Sequence, residues 1–132
     1  MVGVRVEWRG RFENDELNAL HAEAFGHDLL PIDWVGQLRG HSLGWVIARD
    51  DERLVGFVNV AWDGGVHAFL VDTMVPRDRR REGIGASLIH AAVQGARASG
   101  CEWLHVDFDD ELGRFYFDAC GFRLTPAGVI AL

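Results

Sequence analysis

The sequence contains no lysine: all 13 basic residues are arginine, against 20 acidic residues, and the net charge is −7. An acidic chain is a poor nucleic-acid ligand, because neutralising phosphates dominates that affinity. Cysteine is scarce. Cys101 and Cys120 suffice for neither a disulfide framework nor a metal site, and each sits beside apolar residues, the setting of a buried thiol. The six histidines show no ligand spacing with one another or with the cysteines, so no metal is expected. No apolar run approaches the roughly 20 residues that span a bilayer. The opening MVGVRVEWRGRF alternates like a strand and lacks the apolar stretch of a signal peptide, so a cytoplasmic location is expected. There is no internal repeat, linker or low-complexity tail. What is present, 48% hydrophobic residues in 132, suits one soluble domain with a real core.

Along the chain, Val2, Val4, Val6 and Trp8 alternate with Gly3, Arg5, Glu7 and Arg9, a period-2 strand. Asn14 or Asp15 caps a helix to about Phe25, with Leu17, Leu20, Ala24 and Phe25 on its apolar side. Pro31 suggests the start of a second short helix carrying Ile32, Trp34, Val35 and Leu38 and ended by Gly40. Strands follow over Leu43–Arg49, Leu54–Trp62 and Val66–Val75, joined by turns at Asp50-Asp51-Glu52 and Asp63-Gly64-Gly65. A helix from Ile84 to Ala98 buries Ile84, Leu88, Ala91, Ala92 and Ala96 and stops at Gly100. Trp103–Phe108 is the next strand, and the crossover implies that it lies parallel beside the one before the helix. Asp109-Asp110-Glu111 opens a short helix ended by Gly121-Phe122, and Gly128–Leu132 is a last short strand.

The chemistry concentrates in Val75-Pro76-Arg77-Asp78-Arg79-Arg80-Arg81-Glu82-Gly83-Ile84-Gly85-Ala86. Four arginines in five positions and two glycines one residue apart join a strand to a helix. A helix N-terminus offers unpartnered N–H groups and a positive dipole end, and so attracts phosphate. Glycines let a ligand approach the backbone, and arginines add anion attraction. The bland alternative is a tight turn on a basic surface. The spacing Arg80-x-x-Gly83-x-Gly85, between strand and helix, resembles the acyl-CoA signature of the GNAT acyltransferase superfamily. The order of elements, read independently, is also that superfamily's order.

The resemblance implies one GNAT-type acetyltransferase domain over 1–132. Its fold would be α/β (α+β): a mixed, mostly antiparallel sheet with a parallel pair at its centre, flanked by about four helices. Acetyl-CoA would be the co-substrate, with its pyrophosphate on the amides of Arg81, Gly83, Ile84, Gly85 and Ala86 and with Arg80 in the usual Arg/Gln position. The N–H of Val75 would polarise the thioester carbonyl. Asp110 stands where many relatives carry a cofactor-contacting asparagine. The segment Phe115-Tyr116-Phe117-Asp118-Ala119-Cys120-Gly121-Phe122 is similar to the family's Tyr-x-x-x-Gly-Phe, whose tyrosine often protonates the departing thiolate. Here Phe117 fills that position against the cofactor, and Tyr116, the only tyrosine, is one residue early. Either Tyr116 reaches the sulfur through a rotated or bulged helix, or the thiolate leaves through water, or acyl-CoA is bound without turnover. Tyr116 as plain packing stays open beside these.

An amine acceptor also needs a base. Asp72, inside an apolar strand where an ionised carboxylate is costly, is the first candidate for a base or a structural hub, with the structural role slightly favoured. Asp107 and Asp109 come next. His67, beside a hairpin, reads as solvated, as do His27, Asp28, Asp33 and Trp34 in the variable region that walls the acceptor site. The expected reaction is N-acetylation of a primary amine of a small molecule or peptide by direct attack in a ternary complex. The alternative is a non-catalytic acyl-CoA-binding or interaction module. The acidity away from the arginines favours a cationic acceptor. Neither nucleic acid nor membrane is expected as a partner, and a homodimer is left open.

Overall fold

The computed structural model describes residues 3–132. Five strands form one sheet in the order β1-β2-β3-β4-β5. They are β1 (Val4–Trp8), β2 (Ser42–Asp50), β3 (Arg53–Trp62), β4 (His67–Met74) and β5 (Trp103–His105). The first four pair antiparallel, and β4 pairs parallel with β5 through His67–Trp103, Ala68–Leu104 and Phe69–His105. This is the mixed sheet expected from the sequence. Val2 lies outside the described residues.

Helices α1 (Asn14–Phe25) and α2 (Trp34–His41) cover one face of the sheet, and α3 (Ile84–Ala98) covers the other. A capping box starts α1: Glu13 and Glu16 exchange side-chain and backbone hydrogen bonds. Pro31 does not open α2. The cap is Asp33, whose carboxylate accepts from the Gly36 amide at 3.1 Å and from Asn14 Nδ2 at 2.9 Å, joining the two helix starts. Gly40 lies inside that helix and does not end it. Trp34, expected on this helix but read as solvated, is buried, and its indole N–H donates to Asn18 Oδ1 at 2.8 Å.

The core is two layers divided by the sheet. Phe12, Leu17, Trp34, Ile47, Phe57 and Met74 fill the α1–α2 side. Val46, Val58, Val60 and Leu70 meet Ile84, Leu88, Ile89 and Ala92 on the α3 side. Helix α3 approaches closely because side chains are missing where it lands. A Cβ on Gly56 would sit 2.9 Å from Leu88, and a Cβ on Gly95 would sit 2.5 Å from the Trp8 indole. The same ring lies over Gly44, whose Cβ would be 2.4 Å from it.

The C-terminal third departs from the sequence reading. Strand β5 ends at His105 instead of Phe108, and residues 128–132 form no strand. Leu124, Val129 and Ile130 are exposed there, so among the described residues none buries these side chains and no ladder forms. The parallel pair therefore lies at one end of the sheet. The single helix expected from Asp109 is instead a 3-10 turn at Asp110–Leu112 followed by a π-helix at Arg114–Ala119. Cys101 and Cys120 are half-buried free thiols, and burial pushes both pKa values up.

Candidate active site

Beyond Phe69 the two parallel strands part. Strand β4 runs on to Met74, whereas the chain after His105 leaves the ladder, opening a slot between them. Just there β4 carries one extra residue. Its register against β3 slips between the pairs Asn59–Val71 and Phe57–Met74, and Asp72 adopts φ 58°, a left-handed conformation rare for a non-glycine residue. Asp72 and Thr73 fill this bulge, and Val75 follows it.

Past Val75 the chain makes a 3-10 turn at Arg77–Arg79 and enters α3 through Gly83 at φ 90°. No side chain caps that helix, and its first backbone bond runs from the Ser87 N–H to the Gly83 carbonyl. The amides of Ile84, Gly85 and Ala86 thus form an uncapped helix start. A Cβ on Gly83 would meet nothing within 4 Å, so the space over this turn is open. Gly85 differs: a Cβ there would lie 3.2 Å from the Phe115 ring, so its missing side chain serves packing. The arginines are less available than their number implies. Arg79 pairs with Asp50 at 2.8 Å and Glu82 at 3.0 Å. Arg80 donates to the Val75 carbonyl at 3.2 Å and the Ala24 carbonyl at 3.1 Å, tying the loop to the end of α1. Arg81 is exposed, at φ 65°.

Across the slot stands the π-helix. Its hydrogen bond from Cys120 N–H to the Phe115 carbonyl, at 2.9 Å, spans five residues where an α-helix spans four. Each α-helical residue turns about 100°, so a tyrosine five residues before Gly121 would point away from the direction held by a residue four before it. A π turn takes one more residue per turn and returns Tyr116 close to that direction. The Tyr116 hydroxyl reaches β4 and donates to Thr73 Oγ1 at 3.3 Å. The ring is buried, stacked on Phe108 at 4.5 Å and edge-on to Phe115 and Phe122. Burial raises the Tyr116 pKa, partly offset by the Thr73 hydrogen bond, so the phenol keeps its proton. Phe117 is half-buried, edge-on to Phe108 at 5.2 Å. Asp107, Asp109 and Asp110 are exposed along the segment between β5 and the π-helix.

On the other side of the bulge, the Asp72 carboxylate faces His21 of α1, with Oδ1 3.8 Å from Nε2. Burial raises the Asp72 pKa, with His21 partly opposing. Burial lowers the His21 pKa, with Asp72 partly opposing and His27 adding to the fall. The sequence reading passed over His21. Its signal is helical spacing: four residues after Leu17 and three before Ala24, it flanks the buried stripe of α1. His27 lies against it, with Nε2 2.6 Å from His21 Nδ1. His67, read as solvated, pairs with His105 at 2.8 Å. Among the described residues, no group of three or more His, Cys, Asp or Glu is arranged to hold a metal, and no helix is long and apolar enough to cross a membrane.

Comparison with known proteins brings these features under one heading. No curated protein sequence matches the chain. Solved structures do. An acetyltransferase from Trypanosoma brucei superposes with TM-score 0.79 at 20% identity, covering 96% of this chain and 99% of that one. An aminoglycoside acetyltransferase from an uncultured soil metagenomic sample, in complex with sisomicin, superposes with TM-score 0.77 at 19% identity, covering 98% and 95%. An aminoglycoside N-acetyltransferase in complex with CoA gives TM-score 0.77 at 19% identity, covering 98% and 93%. At such identities the likeness is one of fold. The profile of the Acetyltransferase (GNAT) family matches residues 6–122. With that match over most of its length, the chain belongs to the GNAT acetyltransferase family.

Proposed function

We propose that the protein transfers an acetyl group from acetyl-CoA to a primary amine of a small molecule or peptide, by direct attack within a ternary complex. The observation that carries the reading is the Tyr116 hydroxyl, turned onto Thr73 at the slot by a π-helix that offsets its one-residue displacement. The residues suit the co-substrate. The uncapped start of α3 and the open space over Gly83 suit a diphosphate, with the amides of Arg81, Gly83, Ile84, Gly85 and Ala86 as donors. Arg80 holds the loop's shape through two carbonyls, and Asp110 and Phe117 are the proposed further contacts to the co-substrate. When bound there, the co-substrate supplies the activated acetyl group.

The chain's own task is then positioning and proton handling. The N–H of Val75, just past the bulge, is the proposed donor to the thioester oxygen. The Asp72 side accepts the proton that an ammonium must lose before its nitrogen attacks. Tyr116, protonated across the physiological range, gives its proton to the sulfur as the C–S bond breaks. A second reading draws on the same residue: a ring packed among Phe108, Phe115 and Phe122 also fits a module that binds acyl-CoA without turning it over.

Thiol release from acetyl-CoA, followed over a panel of amines, separates the two. Tyr116→Phe should lower kcat on the order of 10²-fold with acetyl-CoA affinity nearly unchanged. A variant within twofold of the parent removes Tyr116 as the acid, and a parent that turns over no amine leaves the binding module.

A further inference from the structure

His21 has hydrogen bonds that determine where its protons lie. The Asp28 carbonyl can only accept, and it sits 2.6 Å from His27 Nδ1. Neutral His27 therefore carries its proton on Nδ1 and offers a lone pair at Nε2. That nitrogen is 2.6 Å from His21 Nδ1, so His21 in turn carries its proton on Nδ1. The remaining nitrogen, His21 Nε2, keeps its lone pair and looks at Asp72 Oδ1 across 3.8 Å. Two acceptors face each other across a gap too long for a hydrogen bond between them. A group with several N–H donors completes the arrangement: an ammonium nitrogen at roughly 2.9 Å from each closes a triangle on that base.

We propose that the acceptor is a cationic amine held between His21 Nε2 and the Asp72 carboxylate, and that His21 is the base that takes its proton. The proposal rests on the acetyl-transfer reading above. One N–H bond of the ammonium breaks, its electron pair stays on nitrogen for the attack, and the proton passes to His21 Nε2. The imidazolium so formed is paired with Asp72 and returns the proton to water after transfer. The place fits the task. The side chains of His21 and Asp72 are 17% and 32% exposed, so both are shielded yet reachable. Asp72 lies in the bulge of β4 beside Thr73, which holds the Tyr116 hydroxyl, so the partners of base and acid stand at adjacent positions of one strand. The groups facing His21 are Asp72 from β4, His27 from the loop after α1, the Trp34 ring from α2 and the Phe25 ring from its own helix. Burial among them keeps His21 below its ordinary pKa, in the neutral form a base requires. His27 acts through His21, as a positioning residue.

The test uses His21→Asn, which keeps a donor toward His27 but has nothing at Nε2, with the amine that the parent acetylates fastest from a panel of alkylamines, aminoglycosides and peptide amines. At pH 7, kcat/KM should fall on the order of 10²-fold. The deficit should shrink as pH rises toward the amine's own pKa, while melting temperature and acetyl-CoA affinity stay put. His27→Ala should take away the acceptor of the His21 Nδ1 proton, so the Nδ1-protonated tautomer should lose its preference in nitrogen-15 spectra, a change that mere loss of packing does not produce. Nitrogen-15 NMR of the parent should find His21 protonated at Nδ1 and bare at Nε2. A proton at Nε2, or a His21→Asn deficit that is absent or equal at every pH, overturns the proposal and leaves acetyl transfer standing. A parent that acetylates nothing overturns both, and the parent alone reveals it.

Discussion

Arg49 ties four pieces of chain together with one side chain. It meets Glu16 of α1 through two hydrogen bonds, at 3.0 and 2.7 Å, and donates to the carbonyls of Arg11 at 2.9 Å and Glu52 at 3.0 Å. The pair holds the Glu16 carboxyl below its ordinary pKa, chiefly through the Arg49 hydrogen bond. A depressed carboxylate stabilises the fold above its unfolded pKa, about 4.3, and the gain is lost as pH falls through the lower folded value. Arg49→Met should therefore cost about 2 kcal/mol at pH 7, a figure kept modest because Glu16 stays partly in water. It should cost much less near pH 2, as urea unfolding at the two pH values will report. No local pattern marks Arg49 in the sequence, because its partners stand up to 38 positions away. The same limit governs the arginine loop. Four positive charges are legible as an anion site, but the commitment of Arg79 to Asp50 and of Arg80 to two carbonyls depends on folding. His21 escaped because a lone histidine on a helix gains meaning only from what β4 brings opposite it.

Elements were legible wherever hydrophobic period decides them. Alternation gave β1, apolar runs bounded by turn signals gave β2 to β4, and the stripe from Ile84 to Ala96 gave α3 with its parallel crossover. Capping chemistry was harder, since Asp33 and Pro31 compete within three residues and only the Asp33 contacts choose between them. The π-helix could not be read, because one residue too many in a short aromatic helix has several solutions: a rotation, a loop or a wide turn. The wide turn gives a direct prediction. Deleting Phe117 removes the surplus residue and sets Tyr116 four positions before the glycine. The segment should then close as an ordinary α turn, with the Tyr116 hydroxyl still at Thr73 and kcat within about tenfold of the parent, given the 10²-fold weight of a lost general acid. A crystal structure and a rate measurement check it together. A deletion variant that stays folded but loses 10²-fold or more in rate would mean that the wide turn does more than absorb a residue.

At the scale of the molecule, three segments distant in sequence are locked by one ring. Trp8, on the outermost strand, fills the space left by Gly44 of β2 and Gly95 of α3. Gly95→Ala alone pushes a methyl into the indole and should cost about 1–3 kcal/mol. In a Trp8→Val background the same change has room, and alanine's better helix propensity, by about 1 kcal/mol, should make it neutral or favourable. Denaturant unfolding of the four proteins measures that coupling directly. Its consequence is historical as well as mechanical. Neither glycine is free to drift while the tryptophan stays. Among descendants of this chain, positions 44 and 95 should therefore stay glycine while position 8 is tryptophan, and a lineage that shrinks the ring first opens the path for the other two.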